Sequence, residues 1–187
     1  MISVLDRIRE ETRPLHDAIE RDSRLSRDDF DGAGYRWYLH KLLGFHAPLE
    51  EQLKPLTARH GLAGEFAGRW KTPLFLRDLA ALGMPAETVA WSPWLPRPAS
   101  LGGLLGCAYV LEGATLGGKV LLRRWGARLP DVAAAQAYLD CYGDQAGPRW
   151  RALLRLLDER LVLAPEQDAA VAAARDCFQT LSRWLQA

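Results

Sequence analysis

The chain has 187 residues, of which 49% are apolar and 25% charged, and its formal net charge is +1. This length and balance are typical of one globular domain with a substantial core, and they exclude a disordered chain. Because the charges nearly cancel, we expect no broad basic surface for nucleic acid or for an anionic membrane. The function should therefore reside in a local site of a single domain over residues 1–187.

The cysteines and the apolar segments indicate the cellular compartment of the protein. Cys107, Cys141 and Cys177 are odd in number and show no metal-binding or redox spacing, so we expect reduced thiols and a cytoplasmic location. The first residues lack the apolar core and cleavage pattern of a signal peptide. The longest mostly apolar stretch, 99–111, is followed by Glu112 and is too short for a bilayer, so we expect no association with a membrane.

The periodicity is helical almost throughout, so the predicted fold class is all-α. The first helix begins near Ser3, but Pro14 interrupts it. We expect a restart with Thr12 as the N-cap and Pro14 in the first turn. The segment 91–98 contains three prolines and is predicted to be a stiff loop. Further helices are predicted at 35–57, 73–82, 100–124, 131–142, 148–163 and 165–186.

The first predicted helix has a histidine at the edge of its apolar stripe. His16 follows Arg9 and Thr12 by about two turns and one turn on nearly the same side. A neutral imidazole beside apolar walls can coordinate iron, and a guanidinium can pair with a carboxylate of the same ligand. The alternative is a hydrogen-bonded core histidine, which is our interpretation of the others. The stripe consists of Leu5, Ile8, Thr12, Leu15 and Ile19, and the other histidines are His40, His46 and His60.

The predicted helix at 100–124 contains six glycines, each costing about 0.8–1 kcal/mol relative to alanine. Four of them fall within about 60° of one another on a helical wheel and form a strip of bare backbone. Two interpretations remain open: close packing against another helix, or contact with a flat ligand. Glycine also allows the helix to bend. The four residues are Gly102, Gly106, Gly113 and Gly117.

Together these segments resemble the haem oxygenase family. Residues 8–20 are similar to its proximal-helix motif, and 109–118 resemble its distal helix, particularly in bacterial members associated with bacteriophytochromes. Two further matches are 138–150 and 178–185. The resemblance covers nearly the whole chain in the same order. It implies one helical domain over 1–187, with haem between the proximal helix and the glycine-rich distal helix.

The resemblance also implies roles for individual residues. His16 would ligate the haem iron, and Gly113 and Gly117 would form the catalytic distal backbone. Four residues are candidates for cofactor binding. Three of these, the arginines, match basic positions near the haem propionates, although a solvated helix face would explain the two later ones equally well. The candidates are Arg9, Thr12, Arg151 and Arg155.

One position departs from the family pattern. Many members carry an aspartate directly after the first distal glycine, where this chain has Ala114. Glu112 and Thr115 point elsewhere on the helical wheel, so neither is an obvious replacement. This departure favours a second possible function, in which the protein is a haem carrier or sensor without turnover.

The resemblance implies an oxidoreductase for which haem is both cofactor and substrate, cleaved to biliverdin, carbon monoxide and ferrous iron. The sequence has no flavin or nicotinamide fingerprint, so a ferredoxin or flavoprotein reductase must supply electrons. A bacteriophytochrome is a candidate acceptor of the biliverdin. A non-haem helical enzyme of the thiaminase-like kind and a structural helical module also remain open as functions.

Overall fold

A computed structural model describes residues 3–22, 29–125 and 129–187. Within these ranges the regular structure is helical and no strand occurs, which confirms the all-α class. Short 3-10 turns lie at Ala86–Thr88, Pro130–Val132 and Gly143–Gln145. The helices are α1 (Val4–Asp22), α2 (Gly32–Arg59), α3 (Ala63–Phe66), α4 (Thr72–Ala81), α5 (Leu101–Trp125), α6 (Ala146–Arg160) and α7 (Ala164–Gln186).

Helix α5 lies at the centre and packs most extensively on α7, which in turn packs on α1. One apolar core is enclosed by α1, α2, α5, α6 and α7. A second core lies between α2, α4, the end of α5 and the segment that follows it. The predicted helices other than 131–142 are present with ends shifted by a few residues, and the loop at 91–98 is irregular as predicted. The short helix α3 was not predicted.

Helix α1 is continuous through Pro14, so the predicted restart at Thr12 is wrong. The hydroxyl of Thr12 donates to the carbonyl oxygen of Ile8 at 2.7 Å, a bond made from inside a helix rather than from an N-cap. Proline removes the N–H that would bond the Glu10 carbonyl, but Glu10 is exposed and water can replace that donor. Packing of the apolar stripe on α7 holds the helix together across this defect.

The segment 131–142 forms turns instead of the predicted helix. The carboxylate of Asp78 accepts the backbone N–H groups of Ala137 and Tyr138 at 2.8 and 2.9 Å. The hydroxyl of Tyr35 donates to a carbonyl oxygen of the same segment at 2.5 Å. These distant side chains satisfy the backbone groups that a helix would have used, so tertiary contacts override local propensity.

Helix α5 is long and apolar enough to cross a membrane by length and composition alone, and it extends well beyond the stretch 99–111. In this fold 56% of the apolar 18-residue stretch within α5 is buried inside the protein. A core helix passes the same test of length and composition, so the test carries little weight for α5.

The cysteine thiols all lie in the described ranges and are free. Cys107 of α5 and Cys177 of α7 are buried and share a hydrogen bond across the interface between the two helices. Cys141 is partly buried in the turns before α6.

Candidate functional site

Helices α1, α5 and α6 meet around a small group of aromatic and basic side chains. The guanidinium of Arg9 on α1 lies near the hydroxyl of Tyr109 on α5, and its charge opposes the rise in the Tyr109 pKa that burial causes. The Tyr109 ring contacts that of Trp150 on α6, with the ring centroids 5.1 Å apart. A β-carbon on Gly113 would lie 3.6 Å from the same tryptophan ring, an ordinary van der Waals distance. Residues from the three helices therefore border one region of the surface.

The glycine strip of α5 divides into two parts with different surroundings. A β-carbon on Gly102 would collide with the carbonyl oxygen of Glu166, and one on Gly106 would collide with that of Ala170. Both acceptors belong to α7, so these two glycines let the helix backbones approach closely. For the first part of the strip, the packing interpretation is the correct one.

The second part of the strip is loosely contacted by Trp150 at Gly113 and faces open space at Gly117. A β-carbon on Gly117 would meet no heavy atom of the described residues within 4 Å. Leu116 and Val120 beside it are 37% and 55% exposed, which is high for large apolar side chains on a central helix. Packing against the described residues does not explain a glycine at this position. The surface around Gly117 is bare backbone flanked by apolar groups, and it can receive a flat apolar ligand.

His16 lies at the edge of the α1 stripe, as predicted, with 54% of its side chain exposed. One side of the imidazole packs edge-on against Phe178 of α7, with the ring centroids 5.9 Å apart. Nε2 lies 3.7 Å from a carboxylate oxygen of Glu20, and Nδ1 lies 3.8 Å from one of Asp17. Both carboxylates are exposed, so the imidazole nitrogens are accessible to a ligand.

The candidate cofactor-binding residues differ in what they present. Arg9 is half-exposed and also contacts Asp6, with 3.2 Å between Nη1 and Oδ1. Thr12 is buried, and its hydroxyl is used within the helix, so it can offer only apolar contact. Arg151 and Arg155 are exposed on α6. Their roles toward propionates stay predictions.

A buried acidic residue lies directly before Gly113 on a different face of α5. Glu112 accepts hydrogen bonds from Lys71 Nζ at 2.5 Å and from the Tyr142 hydroxyl at 2.8 Å, and it pairs with Arg69. Periodicity indicated that Glu112 points away from the glycine face. Its partners lie 30 to 43 residues away in the chain, and no local pattern identifies them.

A curated protein named "Heme oxygenase" from Xanthomonas campestris pv. campestris (strain 8004) is similar to this chain. The two are 33% identical over 141 residues, which cover 74% of this chain and 79% of the relative. The chain belongs to the haem oxygenase family. No family model matches the chain.

Three features of the described residues fit the haem that a haem oxygenase acts on. The space that a side chain would fill at Gly117 is open, and a porphyrin needs such a surface to approach the backbone closely. An accessible imidazole at His16 is a suitable axial ligand for iron. Arg9, Arg151 and Arg155 can supply positive partners for two propionates.

The other histidines of this chain are used elsewhere in the fold. His46 is 1% exposed and packs against the rings of Phe75 and Tyr138. His60 follows the end of α2, where its carbonyl oxygen accepts from Arg160 at 2.9 Å. His40 is partly buried, and burial lowers its pKa. All three side chains are at least partly buried, but His40 Nε2, His46 Nδ1 and His60 Nε2 have no hydrogen-bond partner among the described residues. The expectation of hydrogen-bonded core histidines is therefore wrong in its hydrogen bonds.

The surroundings of Ala114 agree with the departure noted in the sequence. Ala114 is exposed, whereas Glu112 and Thr115 are buried. The Thr115 hydroxyl donates to the Glu112 carbonyl oxygen at 2.7 Å, so it is used inside the helix. Neither residue takes the place of a carboxylate at position 114.

Proposed function

We propose that the protein cleaves haem oxidatively to biliverdin, carbon monoxide and ferrous iron, using electrons from another protein. The observation that carries this proposal is the open glycine surface at Gly117, on a helix whose other glycines at 102 and 106 are filled by α7. A glycine in the exposed part of a helix makes the helix less stable than an alanine would. Binding of a flat ligand explains why a glycine is present there. Membership of the haem oxygenase family supports the same reaction class.

The bound haem supplies the iron chemistry, since it is both cofactor and substrate. His16 would hold the iron through an imidazole nitrogen. Gly113 and Gly117 leave room beside the α5 backbone, whose amide and carbonyl groups can hold water for proton delivery. Tyr109 and Trp150 close the apolar wall between α5 and α6 and keep bulk water out.

The arginines orient the ring. Arg9 already lies at the edge of the region, near the Tyr109 hydroxyl, where a propionate could pair with its guanidinium. Arg151 and Arg155 are exposed on α6, which also contributes Trp150 to the wall. Pairs between guanidinium and carboxylate are directional, so they fix rotation of the porphyrin as well as adding affinity.

We further propose a ferredoxin or flavoprotein reductase as the electron donor and a cytoplasmic location. The free thiols support the cytoplasmic location. The absence of a flavin or nicotinamide fingerprint in the sequence supports an external electron donor. The similarity of 109–118 to members associated with bacteriophytochromes supports such a photoreceptor as the biliverdin acceptor.

A haem carrier or sensor is the second candidate, and the exposed Ala114 favours it. The test is single-turnover spectroscopy of the haem complex with oxygen and a reducing system of ferredoxin and its reductase. A haem oxygenase should lose the Soret band while biliverdin appears. A carrier would keep its Soret band and form no biliverdin, which would overturn the proposal. Gly117→Leu serves as the control, since it should fold but block the haem surface.

A further inference from the structure

The face of α5 that carries Glu112 contributes to a buried charged cluster that the proposed reaction does not use. We name it the Glu112 cluster, and it consists of Arg69, Lys71, Glu112 and Tyr142. The side chains of its three charged members are between 2% and 8% exposed. Such charges are expensive to bury, and they are stable only while paired with one another.

The cluster joins three separate segments of the chain. Lys71 and Arg69 come from the loop before α4, Glu112 from α5, and Tyr142 from the turns before α6. Lys71 Nζ also donates to the Tyr142 hydroxyl at 2.6 Å. The backbone N–H of Lys71 donates to Glu50 of α2 at 2.7 Å, which ties the cluster to a fourth segment.

The position of the cluster along α5 matters because the helix is held differently at its two ends. The glycines at 102 and 106 are fixed by contact with α7. At Gly113 the helix has only an ordinary contact with Trp150, at Gly117 it faces open space, and glycine gives the backbone extra freedom at both positions. Glu112 is the residue directly before this stretch, and its carboxylate is held by three donors from outside the helix.

We propose that Glu112 is a positioning residue, which uses its cluster to fix the α5 backbone at 113–117 against bound haem. This inference rests on the proposed function, because the distance between that backbone and the porphyrin matters only if haem binds there. A backbone held in one position permits one seating of the ring, whereas a looser backbone permits several. The Glu112 cluster should therefore influence which ring carbon is attacked.

Tyr142→Phe is the first test, because it removes one hydroxyl and leaves the buried charges of the cluster unchanged. In the haem-free protein, amide hydrogen exchange over 113–118 should accelerate roughly three- to tenfold, while exchange over 104–108 of the same helix stays unchanged. Tyr35→Phe is the matched control, since it removes a buried tyrosine hydroxyl bonded to Ala135 in the other core. It should leave both stretches of α5 unchanged.

The haem complex provides the second readout. Tyr142→Phe and Glu112→Gln should broaden the mixture of biliverdin isomers per bound haem, and Tyr35→Phe should not. Glu112→Gln leaves Arg69 and Lys71 with no buried counter-charge in their cluster. The double variant Glu112→Gln with Lys71→Met is therefore tested as well, because it buries one unpaired positive charge instead of two. A Tyr142→Phe protein whose α5 exchange matches that of Tyr35→Phe would overturn the inference. Failure of the wild type to form biliverdin would instead overturn the proposed function, and the exchange comparison would still stand.

Discussion

The carbonyl oxygen of Ala170 occupies the place that a β-carbon on Gly106 would need, while eleven residues further along α5 Gly117 meets nothing within 4 Å. The same residue type therefore has two purposes on one helix. At Gly106 the absence of a side chain permits close helix packing. At Gly117 it leaves a surface free for a ligand.

This difference predicts opposite effects on stability. Gly106→Ala should destabilise the haem-free protein by about 1–3 kcal/mol, because α7 must move away from the new methyl group. Gly117→Ala should stabilise it by about 0.8–1 kcal/mol, because alanine is the better helix former and the methyl group meets nothing. Urea unfolding of the two variants measures both changes. A destabilised Gly117→Ala protein would show that this face is packed after all.

His16→Ala should remove the axial-imidazole signature of the haem complex and most of the turnover. The expected cause is loss of the iron ligand, since the exposed His16 side chain contributes little to the core. Electron paramagnetic resonance of the ferric complex provides the measurement. His60→Ala is the control at the end of α2, and it should keep the signature. If a variant of His40, His46 or His60 lost it while His16→Ala kept it, His16 would not be the ligand.

Arg151→Ala together with Arg155→Ala should broaden the mixture of biliverdin isomers while the axial signature persists. Two seatings of the ring that differ by about 1.4 kcal/mol differ tenfold in population, so modest losses of charge pairing alter the ratio. Chromatography of the products measures it. Arg59→Ala, an exposed arginine at the end of α2, serves as the control. An unchanged ratio in the double variant would mean that both arginines belong to a solvated face.

The lowered pKa of Glu50 predicts that the free energy of unfolding decreases in acid. Burial raises the pKa of its carboxyl, but His46 beside it and hydrogen bonds from Thr72 and Lys71 outweigh burial, and the pKa lies below its ordinary value. The ionised carboxylate therefore stabilises the folded state at pH values above about 4.3, the pKa of a glutamate in the unfolded chain. This stabilisation is lost as the pH falls through the lower pKa that Glu50 has in the folded protein. Glu50→Gln should be less stable at neutral pH and approach the wild type in acid.

Urea unfolding at about pH 7 and about pH 3 tests this dependence. Glu51→Gln is the matched control, because Glu51 is exposed and pairs only with a lysine at the surface, where ion pairs contribute little. A constant difference between Glu50→Gln and the wild type at both pH values would contradict the prediction.

The sequence predicts those parts of the fold that depend on local periodicity. It identifies the helical class, the α1 stripe with His16 at its edge, and the glycine helix. It fails at 131–142, where Asp78 and Tyr35 capture the backbone groups from afar. It also fails at Pro14, where packing outweighs the lost hydrogen bond.

The candidate site follows the same division. The helical wheel groups Gly102 with Gly117 because they share a face, but only the position of α7 shows that the first is covered and the second open. Glu112 is likewise recognisable as pointing away from that face. Its partners come from the loop before α4 and the turns before α6, and their approach depends on the whole fold.

The pair of thiols between α5 and α7 makes the closeness of these helices measurable by chemical kinetics. The hydrogen bond with Cys107 and then burial raise the pKa of Cys177, so neither accessibility nor ionisation favours attack while the helices stay together. A thiol reagent must therefore wait for α5 and α7 to separate, and the labelling rate reports that opening. Cys141, whose pKa burial raises to about 11, is only partly covered and provides an internal comparison. A ligand that binds the closed form and not the separated one should slow labelling of the buried pair more at higher affinity and concentration, whether or not it absorbs light.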